Sequence, residues 1–226
     1  MLKAISWDMD GTLVNTEPQW TAAAVELSRD LGKELSVETQ EELLGAASPD
    51  IIAGIIRTVG DENLNPEALE DELHRRVLDK VRADCPFMPG IQALLGHLVE
   101  RGLPMALSTN TPREVTDPML DIIGRQYFRT SVCGDEVPQP KPAPDIYIEA
   151  CRRLGALPSE TIVFEDSLTG MRAATDAGCH VVGLPEPGTP AELIPEGVHL
   201  LEDLNGARSY EGLSLETLQN WVAEWE

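Results

Sequence analysis

The 226-residue chain contains no run of about 18 consecutive apolar residues, so nothing in it reads as a membrane span. Its first residues, Met1-Leu2-Lys3-Ala4-Ile5-Ser6, lack the apolar stretch and cleavage site of a secretory signal and lead straight into acidic Asp8 and Asp10. Cysteine is sparse: Cys85, Cys133, Cys151 and Cys179 are widely spaced, form no CxxC pair and read as reduced thiols of a cytoplasmic protein. Basic residues are outnumbered, 17 Lys and Arg against 39 Asp and Glu, for a net charge of −22. Such a surface repels phosphate backbones and anionic lipid heads, which argues against nucleic-acid and membrane partners. Aromatics are only 4% of the chain and mark no interface, so a monomer or a small homo-oligomer is expected. No repeat or low-complexity tract appears.

What is present is an ordinary globular composition, 42% apolar and 25% charged. The length suits one domain of about 150–200 residues with an insertion. The negative charge is uneven. Residues 17–87 carry 16 acids and 7 bases, and residues 186–226 carry 9 acids and 1 base. The remaining segments are much closer to neutral, which suits a site that receives an anion.

Residues 2–7 read as a short buried strand ended by Asp8. Pro18 can open a helix, and from there to about Asp84 the pattern is helical, with Leu69, Leu73 and Val77 forming a stripe. Pro86, Pro89 and Gly90 then break the rhythm. Helices over 91–101, 114–124, 144–154 and 170–177 alternate with apolar strands over 105–107, 162–164, 180–184 and 198–201. A last helix places Leu215, Leu218, Val222 and Trp225 on one face. Strands alternating with helices predict an α/β fold, a Rossmann-like parallel sheet covered on both sides. The expected core is residues 1–16 and 88–226, with 17–87 inserted as a helical domain.

Four polar clusters follow strand-like segments. Asp8-Met9-Asp10-Gly11-Thr12 puts two carboxylates at a strand end, where ligands of open α/β sheets bind. One can attack a phosphoryl group and the other can move a proton. Both repel an anionic substrate unless a hard cation such as Mg²⁺ intervenes. A solvated turn remains the alternative. A calcium loop fails, because its twelfth position is Gln19 and no further acid follows Gly11 at the usual spacing. Ser108-Thr109-Asn110-Thr111 offers hydroxyls and backbone N–H groups to phosphate oxygens, or simply a helix cap through Thr111. Lys141, between two prolines, is a single stiffly held cation or an ordinary loop lysine. Glu165-Asp166-Ser167 again sets acids where a strand ends, as metal ligands or as a helix cap. Jointly the four supply a nucleophile and proton carrier, a phosphoryl cradle, a cation and metal ligands.

With these residues in place, the chain resembles the haloacid dehalogenase-like (HAD) hydrolase superfamily, in its phosphatase and β-phosphoglucomutase-like subfamily with a small helical cap. The motifs are Ile5-Ser6-Trp7-Asp8-Met9-Asp10-Gly11-Thr12, then Thr109, then Lys141-Pro142-Ala143-Pro144-Asp145, then Glu165-Asp166-Ser167-Leu168-Thr169-Gly170. The resemblance implies that Asp8 attacks phosphorus to form an aspartyl-phosphate. Asp10 protonates the leaving alkoxide and then activates water. It also implies that Thr109, with Gly11, Thr12 and backbone groups near Asn110, holds the phosphoryl oxygens, and that Lys141 neutralises charge. Mg²⁺ would be held by Asp8, Asp166 and the Asp10 carbonyl, with Glu165 nearby or through water. The insertion over 17–87 would be the cap that closes on the substrate and selects the leaving group.

Departures narrow this picture. Carbon–halogen-cleaving relatives lack an acid at the place of Asp10, which disfavours dehalogenation. The mutases carry a histidine where Trp20 stands and an arginine near Ser48. Asn15 replaces the aspartate usual at its position, which is not a core catalyst. The expected activity is Mg²⁺-dependent hydrolysis of a small phosphorylated metabolite, a phosphomonoester, with sugar phosphates among the candidate substrates. A phosphosugar mutase of the same fold and a non-catalytic phosphometabolite-binding protein are the alternatives.

Overall fold

A computed structural model describes residues 1–44, 46, 48–61 and 63–225. The chain divides into two compact units, Met1–Asn15 with Phe87–Glu226, and Thr16–Pro86.

The first unit is built on a parallel sheet of six strands: β1 (Ala4–Trp7), β2 (Met105–Thr109), β3 (Thr130–Cys133), β4 (Thr161–Glu165), β5 (His180–Gly183) and β6 (Val198–Leu200). Their order across the sheet is β3-β2-β1-β4-β5-β6. The chain therefore starts in the middle, builds outward to one side, and returns to build the other. The three central strands are buried at every position, as expected for a sheet with helices on both faces. Flanking helices are α5 (Ile91–Glu100), α6 (Arg113–Ile123), α7 (Asp145–Leu154), α8 (Leu168–Asp176), α9 (Leu201–Asn205) and α10 (Leu215–Trp225). The α/β class and the parallel sheet agree with the sequence expectation.

Two strand ends and one whole strand differ in ways that matter. The sequence ends its strands at Leu107 and Phe164, with the polar clusters in turns. In the structure β2 runs on through Ser108 and Thr109, because these pair with Val132 and Cys133 of β3. Likewise Glu165 is the last residue of β4, paired with Gly183. β3 itself goes unpredicted.

Aromatic packing anchors the middle of this unit. Trp7 stacks on Phe164 with ring centroids 4.3 Å apart, and Tyr210 meets both edge-on at 5.6 Å. The Tyr210 hydroxyl donates to the Thr12 carbonyl at 3.0 Å, so a late segment of chain pins the turn after β1. At the sheet edge, α10 buries Leu218, Trp221 and Val222, each worth about 1.5–3 kcal/mol. Trp225 stacks on His199 of β6 at 4.0 Å.

The second unit is helical: α1 (Glu17–Asp30), α2 (Val37–Glu42), α3 (Ser48–Val59) and α4 (Pro66–Ala83). Proline in the first turn and an N-cap Asn65 that accepts from Glu67 and Ala68 define the start of α4. The predicted stripe is real: Leu69, Leu73, Val77 and Val81 are buried. The opposite face of α4 carries Arg75, Asp79 and Arg82 in exposed ion pairs. Trp20 on α1 meets His74 edge-on at 5.8 Å. It also lines a small cavity with Thr21, Ala24, Leu35, Leu43 and Ile51.

Candidate active site

β1 ends at Trp7, and the chain must turn sharply to carry Asp8 and Asp10 over the carboxyl end of the sheet. Gly11 makes that turn with φ +78°, a conformation costly for any residue with a Cβ. Its N–H closes the turn by donating to the Val14 carbonyl at 2.7 Å. A Cβ there would also lie 2.0 Å from Asp166 Oδ2, so glycine is what lets Asp166 lie directly over the turn.

Lys141 is the centre of the cluster. Its ammonium has three N–H donors, and each is taken: Asp8 Oδ1 at 2.6 Å, the Ser108 carbonyl at 2.9 Å and Glu165 Oε1 at 2.5 Å. The side chain is 3% exposed, and Nζ lies 5.0 Å from the centroid of the Tyr147 ring. Burial opposes its charge, but the carboxylates of Asp8 and Glu165 outweigh burial and hold its proton more tightly than that of a free lysine. The sequence expects Lys141 to bind substrate as well as neutralise charge. Its three donors all meet protein acceptors, which places the ammonium where it offsets the charge of Asp8 and Glu165 directly.

The position of Lys141 is fixed from behind by Asn110. The Asn110 Nδ2 donates to the Lys141 carbonyl at 3.1 Å, and the Lys141 N–H donates to Asn110 Oδ1 at 2.9 Å. The Asn110 side chain is thus spent on the backbone of the loop that carries the cation, which leaves its backbone for any substrate contact. Thr109 is buried at the end of β2, and its Oγ1 accepts the Thr111 N–H at 3.1 Å. Thr12, expected among the substrate-binding residues, is fully buried beneath the turn. Its carbonyl accepts from the Tyr210 hydroxyl, and its own buried hydroxyl has no hydrogen-bond partner among the described residues.

Glu165 is fully buried and fully occupied. Oε1 accepts from Lys141 and from the Tyr147 hydroxyl at 2.7 Å; Oε2 accepts from the Ser167 N–H at 3.1 Å and its hydroxyl at 3.0 Å. Gly170, one turn into α8, gives it room: a Cβ there would lie 1.8 Å from Oε1. Tyr147 and the Ser108 carbonyl are the parts that sequence reasoning missed. Tyr147 sits in the apolar stripe of α7 and looks like core. The available signal is that a buried tyrosine hydroxyl needs a partner, and the burial and neighbouring Glu165 charge keep it protonated, with its pKa well above that of a free tyrosine.

Asp8, Glu165 and Asp166 bring carboxylate oxygens within 4.8 Å of one another. Asp10 is expected at the metal through its backbone carbonyl, not its side chain, and its Oδ2 accepts from Thr111 Oγ1 at 3.4 Å. Three acids around one lysine leave an excess of negative charge. Burial, and after it the Glu165 charge, raise the Asp166 pKa to about 8. Burial is likewise the main influence on Asp8 and raises its pKa; Lys141 opposes, while Glu165 and Asp166 add to the rise. A small divalent cation answers this imbalance, and the donors are the hard oxygens that Mg²⁺ prefers. The residues present therefore fit such an ion, with Asp8 and Asp166 as the better-placed donors, since both oxygens of Glu165 are already engaged.

Comparison with known proteins bears on this geometry. A family model described as haloacid dehalogenase-like hydrolase matches residues 2–178. A phosphoglycolate phosphatase of Nitrosospira multiformis is 32% identical over 191 residues, covering 81% of this chain and 83% of that protein. A phosphorylated carbohydrates phosphatase of Thermotoga maritima is 29% identical over 180 residues, covering 78% and 82%. Among solved structures, CbbY from Rhodobacter sphaeroides in complex with phosphate superposes with a TM-score of 0.80 at 28% identity, covering 97% of this chain and all of that one.

Proposed function

Because the chain belongs to the haloacid dehalogenase-like hydrolases, we propose that it is a phosphatase of the sugar-phosphate or phosphoglycolate type, releasing phosphate from a small phosphomonoester. The observation that carries this reading is Asp8 at the end of the central strand, gripped at 2.6 Å by a buried lysine, with a second carboxylate two residues on. Relatives named as phosphatases of phosphoglycolate and of phosphorylated carbohydrates support it.

In this mechanism a carboxylate oxygen of Asp8 attacks phosphorus. The bond to the leaving alkoxide breaks, and an aspartyl-phosphate forms. Asp10 gives its proton to the departing oxygen, then takes a proton from water as that water attacks phosphorus. Phosphate leaves and Asp8 is restored. Lys141, held by Asp8, Ser108 and Glu165, keeps the nucleophile oriented and offsets its charge. Thr109 and the backbone at Asn110 receive the phosphoryl oxygens. Mg²⁺ held by Asp8, Asp166 and the Asp10 carbonyl would supply the positive charge that lets a phosphate group approach these acids. We assign choice of the leaving group to the helical unit.

The test is phosphate release from an aryl phosphate and a panel of small sugar phosphates, with Mg²⁺ and with chelator. Release is expected to require the metal and to be abolished in Asp8→Asn. In Asp10→Asn it should fall by about 10²–10⁴-fold, the usual contribution of a proton-transfer group. Folded wild-type protein that binds these phosphates without turning any over would overturn the reading.

A further inference from the structure

Outside the active site, one pair of reactive side chains has no structural task assigned to it. Cys151 on α7 and Cys179, just before β5, lie with their sulfurs 3.9 Å apart across 28 residues of chain. Both are free thiols. Cys151 is 2% exposed, and its Sγ also lies 3.5 Å from Thr161 Oγ1. Cys179 packs against the core cluster that contains Tyr147, Ala150 and Met171, yet it is only partly buried and meets solvent. The other two cysteines differ. Burial pushes the Cys85 thiol up to about 11 and also raises that of Cys133, which makes both poor nucleophiles.

We infer that Cys151 and Cys179 are a redox-active pair, converted to an intramolecular disulfide by a peroxide. Bond formation closes the sulfurs from 3.9 Å to about 2.05 Å. The chemistry balances with hydrogen peroxide as the oxidant. One sulfur of the pair, as thiolate, attacks a peroxide oxygen; the O–O bond breaks, and a sulfenic acid and one water result. The second sulfur then attacks the first and displaces hydroxide, which takes the second thiol's proton and leaves as water. Two thiols and one peroxide give one disulfide and two waters. Cys151 supplies the thiolate, and Cys179 beside it, partly exposed, resolves the sulfenic acid. The hydrogen bond from Cys179 lowers the Cys151 pKa to about 7, ahead of the burial that opposes it, while the same bond and burial hold the Cys179 thiol protonated, so the thiolate of the pair at neutral pH is that of Cys151.

The test does not depend on any catalytic activity. The reduced full chain is treated with hydrogen peroxide while folded, then unfolded, its remaining thiols alkylated, and its peptides mapped by mass. The expected result is a cross-linked pair of peptides carrying Cys151 and Cys179, lighter by two hydrogens, with Cys85 and Cys133 alkylated and the link reversed by dithiothreitol. In Cys179→Ser the link should be absent. Oxygen added to Cys179 with Cys151 still alkylated, a link through Cys85, or four alkylated thiols after treatment would each overturn the inference.

Discussion

The two units use the same residue types in opposite ways. In the α/β unit, one lysine and three acids form a buried knot in which Lys141 is 3% and Glu165 0% exposed at the side chain. In the helical unit, α4 displays Arg75, Arg76, Lys80 and Arg82 against Glu72, Asp79, Asp30 and Glu26, mostly in water. Bond lengths do not tell the two apart: Lys141–Asp8 and Lys80–Glu26 are both 2.6 Å. Environment does. A buried charge has given up its hydration and relies on its partners, so losing one partner is costly. An exposed pair exchanges one solvated state for another. The knot is thus where charge is stored for chemistry, and the helical face is where charge keeps a surface wet.

The largest effect is expected from Lys141→Met, which keeps the stem and removes the cation. Asp8, Glu165 and Asp166 would face one another with nothing between them. Urea unfolding should show a loss of about 3–5 kcal/mol, together with loss of phosphate release. If the variant were as stable as wild type, the knot would have to be rebuilt by protonation, and the contrast with the helical unit would collapse.

Next comes Tyr147→Phe, which removes one oxygen and nothing else. Glu165 would lose one of its four hydrogen bonds, and the bond lost is to a buried acceptor. Bonds to charged groups are worth about 1.5–3 kcal/mol, so unfolding should register a loss in that range. Tyr147 does not touch the reacting atoms; it acts by positioning Glu165 and, through it, Lys141. A positioning role predicts reduced kcat with KM nearly unchanged, whereas a purely structural role would lower stability and leave kcat of the folded protein alone.

How much of this was legible in the sequence follows the same division. Asp8, Asp10, Lys141 and the Glu165-Asp166 pair stand out because polar residues at the ends of apolar strands break the local pattern. The helical insertion was legible from the period of Leu69, Leu73 and Val77. The strand Thr130–Cys133 was not, being four residues long and half-buried at its first two positions. It exists because β2 offers it a partner, which is tertiary information. The same pairing draws Ser108 and Thr109 into β2, where their sequence reads as a turn. Tyr147 was hidden for a different reason: it keeps the apolar spacing of α7, and only its hydroxyl's need for an acceptor sets it apart. The double use of Asn110 is likewise invisible without the loop that folds back 31 residues later.

The smallest effect is expected on α4, at Glu72. Its carboxylate accepts from Arg75 at 2.6 Å and from Arg76 at 2.7 Å. These bonds, Arg75 first, lower its pKa to about 2. The side chain is 31% exposed, so water and salt screen these pairs and their net contribution is small. Glu72→Gln should cost no more than about 1 kcal/mol at pH 7, and less at high ionic strength. The pH dependence has a definite sign. The folded-state pKa lies below the unfolded value of about 4.3, so the contribution is complete above that value and disappears as pH falls towards 2. The gap between wild type and Glu72→Gln in urea unfolding should therefore narrow from pH 5 downward. A gap of several kcal/mol at pH 7 that salt leaves unchanged would mean that this helix face behaves as buried charge does, and the difference between the two units would not be one of solvation.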